Sequence, residues 1–164
     1  MKLVKSRREF LRSATILSAA AAVPLTTVNS GCVSGSELSR EFIGNIFWQE
    51  MAGKLKDEGV YSQGNQGMWG GKAGSHVPGY TKNQDGSIVA TTMHKQGPPD
   101  DAGHYIVCQF VESTDDGTVF DFRLYTRLDD DNVSTTLYVP EDYTGGLKVY
   151  SYCTKHDLWE NPVT

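Results

Sequence analysis

The stretch Val119-Phe-Asp-Phe-Arg-Leu-Tyr-Thr-Arg127 changes character at every residue. Phe120, Phe122 and Leu124 fall on one side of an extended chain; Val119, Asp121, Arg123 and Tyr125 fall on the other. A period of two marks a half-buried strand, with one face toward a core and one toward water. The segments around it have the same character. Ile88–Met93, His104–Glu112, Val133–Val139 and Leu147–Cys153 are rich in β-branched and aromatic residues. The clusters Asn83–Gly86, Ser113–Gly117, Leu128–Asn132 and Tyr143–Gly146 supply turn residues between most of them. Several short strands at this spacing predict an all-β domain, an antiparallel β-sandwich.

Upstream the pattern changes. Ser36 to Lys56 reads as one helix, with Ser36 as N-cap and Glu37 in the first turn. Leu38, Phe42 and Ile46, together with Ile43, Phe47, Met51 and Leu55, form an apolar stripe at helical spacing, and Gly59 ends it. Such a helix packs on the domain or spaces it from a membrane. Val60 to Gly79 is a glycine-rich loop.

Residues 1–31 read as a targeting segment. Lys2, Lys5, Arg7, Arg8 and Arg12 precede an apolar run from Ala14 to Leu25 that is too short to span a bilayer. Ser6-Arg-Arg-Glu-Phe-Leu-Arg12 matches a twin-arginine export signal, with removal expected after Ala22 or Gly31. Gly31-Cys32 also resembles a lipoprotein site, at which Cys32 would carry a lipid anchor. The expected location is therefore outside the cytoplasm, periplasmic or membrane-anchored facing the periplasm. The whole chain carries −5 and residues 1–31 carry +4, so residues 32–164 carry −9. That balance argues against nucleic acid as a partner.

The chain has three cysteines, Cys32, Cys108 and Cys153, and no Cys-x-x-Cys, so no four-cysteine metal centre can form. Its four histidines are His76, His94, His104 and His156. Each stands in a loop or at a predicted strand end, and the loops of a sandwich gather at its two rims. A Cys153–His156 nucleophile pair would leave three histidines unexplained. A blue-copper site wants a methionine after the cysteine, and the last methionine is Met93. Tetrahedral zinc needs four ligands, and five are offered. Four imidazoles and one thiolate suit iron, with one coordination position free. Cys108 reads as a small buried thiol; on a regular strand it shares a face with His104 and Ile106. A Cys108–Cys153 disulfide is the competing use of both thiols.

At this point the chain resembles a known family. Ser151-Tyr-Cys-Thr-Lys-His-Asp-Leu-Trp159 is similar to the closing motif of the superoxide reductases (neelaredoxin and the iron domain of desulfoferrodoxin), Cys-Asn-x-His-Gly-Leu-Trp. His76-Val-Pro78 resembles the family's Glu-Lys-His-x-Pro, with Trp69 a little before it. His104-Tyr-Ile106 resembles its His-x-Ile, and His94 the histidine that ends the preceding strand. The likeness runs from Trp69 to Thr164. It implies a domain over 69–164, after a signal segment (1–31) and a helix with glycine-rich linker (32–68). It implies a seven-stranded immunoglobulin-like β-sandwich and one mononuclear iron, cycling between Fe2+ and Fe3+. His76, His94, His104 and His156 would be equatorial ligands and Cys153 the axial thiolate. The implied activity is one-electron reduction of superoxide to hydrogen peroxide, fed by a small redox protein as electron donor; family members are often homo-oligomers.

The chain departs from the pattern at four residues. Gly74-Ser75 replace the Glu-Lys before the first histidine, and Thr154 and Asp157 replace the Asn and Gly around the last. Lys72, four residues before His76, is the candidate to take over the catalytic lysine's role, with Lys95 second. A longer loop than usual, shaped by Pro98-Pro99, joins His94 to His104. The alternative function is a non-catalytic iron-binding or electron-transfer module. A β-sandwich interaction domain with incidental histidines would bind no metal.

Overall fold

The computed structural model describes residues 37–96, 103–125 and 132–164. The export signal, Cys32, the expected N-cap Ser36, Pro98-Pro99 and residues 126–131 lie outside the described residues, as do the side chains of 37–45, among them Leu38, Phe42 and Ile43. Residues 35–164 belong to one compact unit. A helix α1 (Glu37–Asp57) leads into β1 (Val60–Tyr61), a 3-10 turn (Gly67–Trp69) and a short helix α2 (Ala73–His76). The strands β2 (Gly79–Lys82), β3 (Ile88–Thr92), β4 (Ile106–Ser113), β5 (Val119–Leu124), β6 (Val133–Leu137), β7 (Leu147–Cys153) and β8 (Asp157–Val163) follow.

These strands form two sheets, ordered β1-β8-β7-β4-β5 and β2-β3-β6. Neighbours among β2 to β8 pair antiparallel, and β1 adds a two-residue parallel edge beside β8. The expected seven-stranded sandwich is therefore present, with β1 as an addition. Between the sheets lie Ile88, Ala90, Val111, Leu137, Leu147 and Val149, all buried. Alternation explains this on β7: Leu147, Val149, Ser151 and Cys153 point one way, Lys148, Tyr150 and Tyr152 the other.

The outer face of the larger sheet is not wet. Helix α1 covers it, packing Ala52 and Leu55 on Cys108, Phe110, Val119, Phe122, Tyr150 and Leu158. Trp48 stacks on Phe122 at 4.7 Å, Phe122 on Phe110 at 5.2 Å, and Phe110 on Tyr150 at 4.5 Å. Gln49 reaches past the rings to β5, an edge strand. Its amide accepts from the Val119 N–H at 2.9 Å and donates to the Gly117 carbonyl at 2.6 Å, as a neighbouring strand would. Among the described side chains, α1 docks through Trp48, Met51, Ala52 and Leu55, whereas Ile46 and Phe47 of the expected stripe are about half exposed. Gly59, at φ +125°, ends the helix in a conformation that glycine adopts without cost.

Two bulges overturn two expectations. Opposite β4, Glu112 pairs with Val119 but Val111 with Asp121, so Phe120 is an extra residue. The alternation of Val119–Arg127 therefore breaks. Val119 and Phe122 share the helix-facing core, Phe120 turns toward the other sheet, and Leu124 is exposed. On β4, Ile106 pairs with Cys153 and Cys108 with Tyr152, which makes Val107 an extra residue. Cys108 consequently lies under α1, on the opposite face from Ile106, which packs with Val133 and Cys153. Both described cysteines are free, so no Cys108–Cys153 disulfide exists.

A polar chain crosses the layers near one rim. Tyr125 donates to Gln109 Oε1 at 2.7 Å, Gln109 Nε2 donates to Thr92 at 2.8 Å, and the Thr92 hydroxyl donates to Ser151 at 3.0 Å. Gln109, Thr92 and Ser151 are fully buried, and each has a partner, as burial of polar groups requires.

Candidate metal centre

Five side chains meet at the rim just beyond that chain. His76 ends α2, His94 follows β3, His104 precedes β4, Cys153 ends β7, and His156 sits in the β7–β8 turn. One donor atom from each lies within 4.8 Å of every other. His76, His94, His156 and Cys153 are buried and His104 is half-buried.

The rings form a pinwheel. His76–His94, His94–His104, His104–His156 and His156–His76 have centroids 4.7, 4.6, 4.8 and 4.6 Å apart and cross at 80°, 82°, 68° and 83°. His76 and His104, across the wheel, are 6.2 Å apart and near parallel at 18°. Toward the hub, His94 Nε2 and His104 Nε2 are 3.0 Å apart, His104 Nε2 and His156 Nδ1 3.1 Å, and His156 Nδ1 and His76 Nε2 2.9 Å. With metal–nitrogen bonds of about 2.1 Å, ligands at right angles stand about 3.0 Å apart and tetrahedral ones about 3.4 Å. These three separations match ligands at right angles on a single ion, and His76 and His94 close the ring with donor atoms within 4.8 Å. Cys153 Sγ lies 3.6 Å from His156 Nδ1 and 3.8 Å from His94 Nε2, in reach of the same point.

Protonation supports this fit. The Nδ1 of His76 is 3.0 Å from the Lys72 carbonyl, which only accepts, so that nitrogen carries the proton and Nε2 presents its lone pair to the hub. Ser75 Oγ, also 2.9 Å from Nδ1, donates to the same carbonyl. Burial, aided by the neighbouring histidines and opposed by the Lys72 carbonyl, lowers the pKa of His76 to about 3. Burial, with His104 and Lys72 next, lowers that of His156 to about 4. Both rings are neutral at pH 7, with lone pairs free to ligate. Burial raises the Cys153 thiol, and the backbone N–H groups of Lys155 and His156 pull it the other way. A metal taking this sulfur displaces its proton. The five residues can hold one metal ion.

Local sequence explains how the ligands are held. Thr154, in place of the usual Asn, donates to the Gly103 carbonyl at 2.5 Å and accepts from the Tyr105 N–H at 3.2 Å, tying the chain on both sides of His104 to the Cys153 turn. The Gln96 amide pairs with the Ile106 backbone in both directions, at 2.8 and 3.1 Å, and so ties the segment after His94 to β4. Trp159, fully buried, donates to the His156 carbonyl at 2.7 Å.

The Lys72 side chain is exposed and its charge reaches His156, while Lys95 is exposed beside His94. Sequence reasoning did not single out Lys155. It is also exposed, its charge also bears on His156, and its place between Cys153 and His156 was the available signal. A Cβ at Gly74 would meet nothing within 4 Å, so the backbone there faces open space.

No family model and no curated protein sequence matches the chain. Solved structures do. A variant of the superoxide reductase (neelaredoxin) from Ignicoccus hospitalis aligns over 66% of this chain and 94% of its own, with 20% identity and a TM-score of 0.50. The chain has the superoxide reductase fold. A second structure of that Ignicoccus protein covers 68% of this chain and 94% of its own at 18% identity and TM-score 0.47. The one-iron superoxide reductase from Giardia intestinalis covers 54% and 96% at 18% identity and TM-score 0.41. The Ignicoccus variant is named for the family whose motifs the stretches around His76, His104 and Cys153–Trp159 resemble.

Proposed function

We propose that the chain is an exported one-iron superoxide reductase. The observation that carries this reading is the hub itself: four imidazoles that cross in a pinwheel, His76 and His156 among them neutral, with one thiol beside them. His76, His94, His104 and His156 would bind iron through nitrogen and Cys153 through sulfur. Ferrous iron there would supply the electron that, with two protons, turns superoxide into hydrogen peroxide. The chain's own residues set the conditions for that. The buried thiolate and imidazoles would exclude water from most of the coordination sphere, and five donors leave a sixth position for a small anion. Lys72 and Lys155 place positive charge near His156 on a domain whose residues 32–164 carry −9, so the local potential would draw in an anion that the whole molecule repels. Lys72 is the candidate to approach the substrate and organise proton delivery. An outside one-electron carrier, a small redox protein, would restore the ferrous state. The twin-arginine segment supports a place on the periplasmic side.

The test is anaerobic reconstitution with ferrous iron followed by a pulse of superoxide. One peroxide per iron, with no dioxygen released, is expected. Iron bound at one per chain while superoxide decays at its uncatalysed rate would replace this reading by the non-catalytic module. A chain that takes up no iron would refute both.

A further inference from the structure

Asp157 stands where a glycine is usual, and its backbone has the left-handed conformation that explains that preference, φ +61°. Aspartate tolerates this region better than most residues. Its side chain has a job that glycine lacks: Oδ2 accepts a 2.9 Å hydrogen bond from the indole N–H of Trp69, 88 residues away in sequence. The Trp69 ring in turn stands edge-on against His156 at 4.9 Å and 86°. Trp69 belongs to the glycine-rich segment that ends in His76. Around it the backbone bonds are local: the Trp69 N–H donates to Gln66, the Lys72 N–H to Trp69, and the Val77 N–H to Ala73. Gly67 in this segment has φ +50°, and a Cβ there would stand 2.5 Å from the Tyr61 ring. The segment is thus internally folded, and the Trp69–Asp157 bond ties it to β8.

We propose that Asp157 is a positioning residue of the metal centre, a latch that holds Trp69, and with it the loop bearing His76, against His156. The proposal rests on the metal-site reading above. It assigns a use to the departure from glycine: the same turn that presents His156 also anchors the segment delivering His76. Opening the latch lets His76 swing away from the hub and lets His156 rotate, so a bound ion escapes faster. Outer partners of metal ligands typically change metal affinity about tenfold to a hundredfold.

The experiment loads the full chain with Co2+, whose thiolate absorption reports occupancy, and follows release to excess chelator. Asp157→Gly keeps the backbone conformation and removes the acceptor; release about tenfold to a hundredfold faster is expected. Asp157→Asn keeps both the left-handed tolerance and an acceptor oxygen; release within about threefold of wild type is expected. Trp69→Phe keeps an aromatic ring and removes the donor, and should match Asp157→Gly. The double variant should be no faster than either single one, as for two ends of one bond. The melting temperature of each metal-free variant checks that the fold survives, and if Asp157→Gly does not fold, Trp69→Phe carries the test. Unchanged release in the variants that lack one end of the bond overturns the latch, as does an Asp157→Asn protein as leaky as Asp157→Gly. Wild-type protein that takes up no Co2+ overturns the metal-site reading and the latch together.

Discussion

Loading the hub should stabilise the whole domain, and the size of the effect follows from where the ligands come from. His76, His94, His104 and the Cys153–His156 pair lie on four separate stretches of chain. The unfolded chain keeps only Cys153 and His156 close together, a weak chelate. Binding is therefore almost wholly to the folded state, and the linkage RT ln(1 + [metal]/Kd) applies nearly in full. At a free ferrous concentration of one hundred times Kd this is about 2.7 kcal/mol. The compact unit Gly35–Thr164 has about 130 residues. At an unfolding entropy of about 2.1 cal/mol/K per residue, the melting temperature should rise by roughly 10 °C. Replacing His76 by Ala removes one of the five donors. A hundredfold loss of affinity at the same concentration leaves about 0.4 kcal/mol, a rise under about 2 °C. Anaerobic scanning calorimetry of both proteins, with and without ferrous iron, checks this. The reasoning fails if the wild type shows no saturable rise at any ferrous concentration, or if His76→Ala keeps the full rise.

Other expectations concern the helix, the edge strand and the rim. Trp48→Ala removes the ring stacked on Phe122 and should cost about 2–3 kcal/mol in urea unfolding, less than a fully buried tryptophan because Trp48 is only partly covered. Gln49→Ala leaves the Val119 N–H and the Gly117 carbonyl to water and should cost about 1–2 kcal/mol; faster amide exchange at Val119 is the local readout, and an unchanged rate there counts against the strand-mimic role. Changing Lys72 and Lys155 together to Met should slow the reaction with superoxide several-fold and flatten its ionic-strength dependence, measured by pulse radiolysis; a rate and salt slope equal to wild type would remove both lysines from the mechanism.

The strands themselves were legible because their β-branched and aromatic runs ended at turn clusters, and Leu147–Cys153 matches β7 at both ends. Strands β2 and β8 were not, for reasons visible in their residues. Gly79–Lys82 has a glycine and a lysine and lies largely exposed, and Asp157–Val163 contains Pro162. The two bulges were invisible because an extra residue leaves no mark in the sequence; it appears only when a strand is laid against its neighbour. Met51 and Leu55 of the expected helix face do pack, while Ile46 and Phe47 do not, for a related reason. The outer sheet face offered to α1 is built largely of flat rings, and Trp48, which stacks on them, was not part of the apolar stripe. The five residues of the hub were legible because chemistry limits what four rim histidines and a cysteine can do. The Trp69–Asp157 bond was not, since nothing in either residue's surroundings names a partner 88 positions away.

The Thr92–Ser151 hydrogen bond has a further consequence. One pleat beyond each residue on its own chain come His94 and Cys153, whose donor atoms lie 3.8 Å apart. Greasy layers alone can slide by a fraction of a residue without much penalty, whereas a donor and acceptor shut away from water tolerate almost no offset. The hydroxyl pair therefore works as an alignment pin: it indexes one layer on the other next to the place where tolerances of tenths of an ångström begin to matter. Shape in the middle of the sandwich can drift over evolution so long as that pin keeps its two halves in step.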